Sequence, residues 1–199
     1  MKKNLNFYEN LYNRLKKTKY TFGLPQKELI KFMNSARWKK ARILDLGCGD
    51  GRNIIFLALK NLAVWGIDNS VSGLRKIKEK NKNNPLIQNI HLKQADLKTI
   101  KLKQRNYFDL VICVYTFHEI GLNGVKNIIK QAKLSTKPHG INYLAIFIPQ
   151  KGTFIRKECY YPNENDIIKI QELEDYKEKE SLFDAQPSHS LFKKKRNKA

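Results

Sequence analysis

Acidic residues are scarce in this chain. Among 199 residues, Asp and Glu number 18 against 39 Lys and Arg, for a formal net charge of +21. Cysteine is scarcer still, with three residues at positions 48, 113 and 159. No two of them have CxxC spacing, so neither a zinc site nor a disulfide framework is suggested, and each reads as a small buried or partly buried thiol. No metal ligand set is expected. Long apolar runs are missing too: none approaches the ~20 residues that a membrane span needs. The basic opening MKKNLNFYENLYNRLKK lacks the apolar centre of a signal peptide. A cytoplasmic protein with no membrane partner is the expectation. No internal repeat, Pro-rich linker or low-complexity block divides the chain. A single domain over 1–199 is therefore expected, with 1–40 as a helical extension and 193–199 as a disordered basic tail.

Hydrophobic residues make up 41% of the chain, an ordinary globular share and enough for a core. The basic excess has two readings. It could be the footprint of a nucleic-acid partner. Yet Lys far outnumbers Arg, Asn and Ile are abundant alongside it, and the Lys are spread along the whole chain. That pattern favours compositional bias over a phosphate-reading surface, which would draw on the planar fork of Arg.

Strand and helix patterns alternate. Strands are expected at 41–47, 62–68, 87–96, 108–116 and 141–149. The fourth, FDLVICVYT, is nearly all apolar, as a strand buried on both faces should be. Helices are expected from Gly51 to Lys60, from a Ser70 cap to about Lys80, around Val125, Ile128, Ile129 and Ala132, and over 163–173. YKEKESLF and SHSLFKKK read as two edge strands about a turn at Gln186-Pro187. The expected fold class is α/β: a Rossmann-like, doubly wound, mostly parallel seven-stranded sheet with helices on both faces. A C-terminal antiparallel edge hairpin and an N-terminal helical cap complete it.

The chemistry centres on ILDLGCGDGRN, residues 43–53. A phosphate loop would need GxxxxGK followed by Ser or Thr, and no such Lys is present. A dinucleotide fingerprint would need a third glycine where Arg52 stands. That position disfavours a dehydrogenase. Asp45 lies two residues before Gly47, where a negative side chain suits an ammonium group better than a pyrophosphate. Asp68 closes the second strand, and an acid there can accept hydrogen bonds from both ribose hydroxyls. The residues thus point to a ligand with a ribose and a cationic part, and S-adenosylmethionine has both.

ILDLGCGDG, VWGID, QADL and FDLVICVYTFHEI, in this order over about residues 40–150, resemble the ordered motifs of class I S-adenosylmethionine-dependent methyltransferases. GCGDGRN, with Tyr8, Tyr12 and Gly23-Leu24-Pro25 upstream, is similar to the tellurite-resistance and related small-molecule methyltransferases. Members of that group carry a His near the C-terminal strand, and His189 stands in PSHSLFKKK, although this segment departs from theirs in length and detail. The resemblance implies that Asp45, Gly47, Cys48, Gly49 and Gly51 hold the methionine part of S-adenosylmethionine, with Asn53 at the helix start. It implies further that Asp68, beside Asn69, holds the ribose and Asp96 the adenine amino group. Leu97 would offer its backbone to adenine, and Cys113 or Val114 a carbonyl to the ammonium.

Methyl transfer from a sulfonium is an in-line displacement with a good leaving group, so a base is needed only when the acceptor carries a proton. The acceptor should sit beside the ends of strands four and five. His118 and Tyr115 are the candidate catalytic residues there; Thr153, Arg156 and Tyr160 are candidates for touching an acceptor. Phe7, Tyr8, Tyr12 and Tyr20 can close over the cleft, with Tyr12 a candidate substrate contact. No Pro-Pro-Tyr or Pro-Pro-Phe follows strand four, and no Pro-Cys pair is present, so methylation of a base amino group or of base C5 is not indicated. A small-molecule acceptor is expected, an oxyanion or a thiol among those considered. RNA or protein stands as an alternative acceptor, and a non-catalytic nucleotide-binding module as a second. Monomer and homodimer are both compatible with the sequence.

Overall fold

The structure is a computed structural model. It describes residues 3–17, 20–34, 38–147, 159–161, 163, 165 and 180–186. Six strands form one sheet: β1 (Arg42–Leu46), β2 (Ala63–Asp68), β3 (Ile90–Gln94), β4 (Phe108–Val114), β5 (Thr136–Phe147) and β6 (Glu180–Gln186). Among the described residues, five α-helical elements accompany them: α1 (Lys3–Arg14), α2 (Lys27–Phe32), α3 (Arg52–Ala58), α4 (Val71–Asn81) and α5 (Phe117–Ser135). The spatial order is β3-β2-β1-β4-β5-β6.

Every pairing between neighbouring strands is parallel. The expected seven strands and antiparallel edge hairpin are therefore corrected. Among the described residues there are six strands, and β6 runs parallel to β5, from Ile141↔Glu180 to Phe147↔Gln186. An antiparallel pairing would need only a tight turn, whereas a parallel one needs a crossover long enough to return the chain to the same end of the sheet. SHSLFKKK, the tail and most of the proposed helix 163–173 lie outside the described residues.

Alternation along each strand divides the core between the two faces. Ile43, Leu110, Ile112, Ile141, Tyr143 and Ala145 face α2, α3 and α4. Leu44, Leu46, Val111, Cys113, Leu144 and Ile146 face α5 and the segment from Leu97 to Leu102. Burial on both faces explains why the central strands read as unbroken apolar runs. Ser70 caps α4 by accepting from the Gly73 amide at 3.0 Å. The third strand is shorter than expected because Pro85–Asn89 forms a 3₁₀ turn ahead of it. α5 starts earlier than its apolar spacing indicates and is broken at Gly121, with φ 66° and ψ 171°. His118 and Glu119 lie on the short turn before the break.

Strand order reverses between β1 and β4. In an open parallel sheet the crevice outside the carboxyl ends at such a point is where ligands bind.

Candidate active site

A cleft of about 640 Å³ opens at that point, within the usual range of ligand sites. Its floor is the loop that follows β1. The loop folds back on β2, with the Gly47 and Cys48 amides donating to the Ile67 carbonyl at 2.8 and 3.2 Å. Gly49 has φ 54°, and a Cβ there would stand 2.6 Å from the Tyr12 hydroxyl. Glycine is needed at this position both for the left-handed backbone and for the approach of α1.

Asp68 lines the cleft and accepts from the Gly49 and Ser70 amides, each at 2.8 Å. Burial raises its pKa, against the lowering effect of these backbone bonds. Asn69, Asp96 and Leu97 line the same side, and Asp96 accepts from the Lys98 amide at 2.9 Å. Asp45 is different. It is buried in β1, outside the cleft lining, and neither carboxylate oxygen has a hydrogen-bond partner among the described residues. Burial first and the charge of Asp68 second push its pKa up to about 7, with Arg52 opposing. A buried carboxyl with no donor is costly when charged, which fits a site completed by a cation. Burial, with Asp68 and Asp45 nearby, also pushes the Cys48 thiol well up, so it stays protonated and is no nucleophile.

Other expected residues are sorted by the fold. Gly47, Cys48, Gly49, Asn53 and Val114 line the cleft. Gly51 packs instead against Ile77 and Ile55 at the start of α3, and Cys113 is fully buried in the α5-side core. Tyr12 lies over the glycine loop and lines the cleft. Burial and the charges of Asp68 and Asp50 raise its pKa well above the usual value. Tyr160 packs against the α5-side core and donates its amide to the His118 carbonyl at 2.9 Å, while Tyr161 faces the cleft. Of the two, Tyr161 and not Tyr160 lines the cleft. Thr153, Arg156 and His189 lie outside the described residues.

Another part of the cleft wall comes from the end of β4 and the start of α5. Tyr115 sits in the left-handed region at φ 56°, uncommon for an aromatic residue, with its amide bonded to the Ala145 carbonyl at 2.8 Å. His118 Nε2 lies 3.0 Å from Glu119 Oε1. That same oxygen accepts from the Tyr8 hydroxyl at 2.8 Å and from the Cys159 thiol at 3.4 Å.

Sequence reasoning missed what the polar residues of GDGRN do. Asp50 accepts from the Thr21 amide at 2.6 Å and from Lys76 Nζ at 2.7 Å. Arg52 donates to the Phe22 carbonyl at 3.0 Å, and Asn53 accepts from the Gln26 amide at 3.4 Å. The loop's polar side chains thus hold residues 21–26 while the same residues line the cleft. Glu119 was missed as well; its position beside His118 was the available signal. Asp109, read as structural, accepts from the Arg42 amide at 2.8 Å and from Lys137 at 2.6 Å.

Residues 43–140 match the sequence model of a family described as a methyltransferase domain. Residues 43–140 thus form a methyltransferase domain similar to S-adenosylmethionine-dependent methyltransferases. Over 108 residues the chain is 32% identical to the probable S-adenosyl-L-methionine-dependent methyltransferase TehB of Haemophilus influenzae, covering 52% of this chain and 35% of TehB. It thus spans about a third of the length of that curated relative. Among solved structures, it is similar in fold to phosphoethanolamine N-methyltransferase 1 of Haemonchus contortus, with a TM-score of 0.62, 15% identity, and coverage of 82% of this chain and 39% of that one. The CcbJ methyltransferase from Streptomyces caelestis is similar over 59% of this chain and 48% of its own, with a TM-score of 0.52 and 24% identity. No described helix is long and apolar enough to cross a membrane.

Proposed function

We propose that this chain transfers a methyl group from S-adenosylmethionine to a small-molecule acceptor. One observation carries the reading: Asp45 is buried in β1, two residues ahead of the glycine loop, with both carboxylate oxygens lacking a donor among the described residues, and that loop lines a cleft with Asp68 and Asp96. This set suits a cationic nucleoside. Gly47 to Gly49 and Tyr12 would hold its methionine part, with Asp45 supplying negative charge. Asp68, beside Asn69, would take the ribose hydroxyls, and Asp96 with the Leu97 backbone the adenine.

The cofactor supplies an electrophilic methyl carbon on a good leaving group. The protein's task is then to position the acceptor, exclude water and, where needed, remove a proton. Phe7, Tyr8, Tyr12 and Phe22 provide the apolar cover. His118, beside Glu119, is the candidate base on the acceptor side.

The RNA reading gains nothing from the cleft. Its described lining contains Asp50, Asp68, Asp96 and Glu119 but only Arg52 and Lys98 among Lys and Arg residues, a poor setting for phosphate. Calorimetry tests the cofactor. S-adenosylmethionine and S-adenosylhomocysteine should both bind the folded protein, and Asp68→Ala should weaken each by at least about tenfold, one unit of ~1.4 kcal/mol, through lost ribose bonds. Absence of binding by the wild type would remove the proposal. Tritiated methyl transfer into fractionated metabolites, RNA and protein then identifies the acceptor class.

A further inference from the structure

Between β3 and β4 the chain forms no helix among the described residues. It crosses the α5 side of the sheet as an irregular segment, burying Leu97, Ile100 and Leu102 against Leu44, Leu46 and Ile67. The charged residues between and after them stay outside. From Lys93 to Arg105 there are five cations, Lys93, Lys98, Lys101, Lys103 and Arg105, all exposed, and one acid, Asp96. None of the five is in an ion pair among the described residues, whereas α4 on the opposite face pairs Arg75 with Glu79 and Lys76 with Asp50. Asp109, near the start of β4, is already held by Lys137 at 2.6 Å. Aromatic rings stand beside this strip. Trp65 and His91 are partners across the β2–β3 pairing, their rings stacked at 4.6 Å and 25°. Tyr107 meets Trp65 edge-on at 5.4 Å, and the Arg42 guanidinium lies 4.2 Å from the centre of the Tyr107 ring. His91 is exposed on edge strand β3, so the stack ends in an open ring.

We propose that this face binds a single-stranded nucleic acid, with phosphates along the strip from Lys93 to Arg105 and a base stacked on His91. The inference goes beyond methyl transfer and does not depend on the acceptor, since only Lys98 of the five cations lines the cleft. Unpaired cations attract a polyanion and release its counterions, whatever its sequence. Open rings take unpaired bases, because every base has a flat face. A duplex keeps its bases stacked inside and would leave His91 unused. An acidic protein would meet the cations but offers the stack no flat partner. Lys93 alone would be explained as a charge that blunts an edge strand. Lys101, Lys103 and Arg105 are not on that strand, and a lysine-rich composition gives no reason for a ring stack to open beside them.

Fluorescence anisotropy on the full chain tests this. The probes are labelled oligouridylate and oligodeoxyuridylate of about a dozen nucleotides, and an abasic deoxy strand of the same length and charge. Both base-bearing strands should bind, and the tighter one names the partner as RNA or DNA. With about four phosphate contacts, affinity should fall roughly fiftyfold between 50 and 200 mM salt. The abasic strand should bind at least about tenfold more weakly than oligodeoxyuridylate, and His91→Ala should cost about five- to tenfold on the base-bearing strands only. Lys101→Glu with Lys103→Glu should weaken binding more than about tenfold. Lys78→Glu with Lys82→Glu makes the same charge change at α4 on the opposite face and should cost less than about threefold. Every substituted residue is exposed, and circular dichroism checks that each variant is folded. No binding at 50 mM salt, or equal affinity for the abasic and base-bearing strands, would overturn the proposal. So would an equal loss in the two double variants, which would reduce the effect to overall charge.

Discussion

Asp45 carries the sharpest consequence at the scale of single residues. Its folded pKa of about 7 lies above the ordinary 3.8, so the folded protein holds a proton that the unfolded chain releases. Stability attributable to Asp45 is therefore complete below about pH 4 and is lost as pH rises towards 7. The raised pKa of Asp68 acts in the same direction. A bound cation should offset that loss, so the melting-temperature gain from S-adenosylmethionine should be larger at pH 8 than at pH 5.5. Asp45→Asn should flatten this dependence and reduce the gain at pH 8. Differential scanning fluorimetry at the two pH values decides it; a gain independent of pH in the wild type would refute the assignment. Gly49→Ala tests the loop by geometry. The added methyl would meet the Tyr12 hydroxyl at 2.6 Å on a backbone at φ 54°. A destabilisation of more than ~1 kcal/mol in denaturant melts and weaker cofactor binding are expected.

At the scale of elements, the N-terminal cap is fastened by ties from two sides. Glu9 bonds Ser72 and Arg75 bonds Asn13, which join α1 to α4. Lys76 meets Asp50 at 2.7 Å in a pair that is almost fully buried, and also reaches the Thr21 hydroxyl at 2.9 Å. Removing one partner of a buried pair strands the other charge. Lys76→Met should thus cost ~3–5 kcal/mol in urea melts, whereas the double variant Lys76→Met with Asp50→Asn should recover part of that loss. A single variant as stable as the wild type would show that the pair is not holding the cap. Gly121 sets the orientation of the other wall. Its φ of 66° breaks α5 just after Glu119, and no heavy atom within 4 Å would clash with an added Cβ. Gly121→Ala therefore isolates backbone strain: about 1 kcal/mol or more of lost stability, with S-adenosylhomocysteine affinity little changed. Calorimetry and urea melts on the same sample check both halves.

The whole molecule combines a net charge of +21 with a cleft that gathers acids. Excess like charge destabilises a compact state, and salt screens it over a Debye length of ~8–10 Å. The melting temperature should rise between 20 and 300 mM NaCl; a fall would show that attractive pairs outweigh the repulsion. The sheet at the centre was legible because each parallel strand must be apolar on both sides, and FDLVICV shows that directly. Strand alternation, the Ser70 cap and the glycine loop were legible for the same reason: each is dictated by neighbours within a few residues. The final strand was read with the wrong partner and direction, since pairing at a sheet edge depends on where the chain returns and not on local pattern. So it is with the site. By itself the sequence determined the mostly parallel α/β class and the cofactor type, and it singled out the acids Asp45, Asp68 and Asp96 as candidates, because acids at or just past strand ends keep a set spacing. Only the tertiary structure decided that GDGRN grips residues 21–26, that Tyr12 covers Gly49, and that Tyr8, His118 and Cys159 converge on Glu119. Contacts between residues 111 positions apart, such as Tyr8 with Glu119, leave no periodic trace, because they arise when separate elements pack and not from the order of neighbours along the chain.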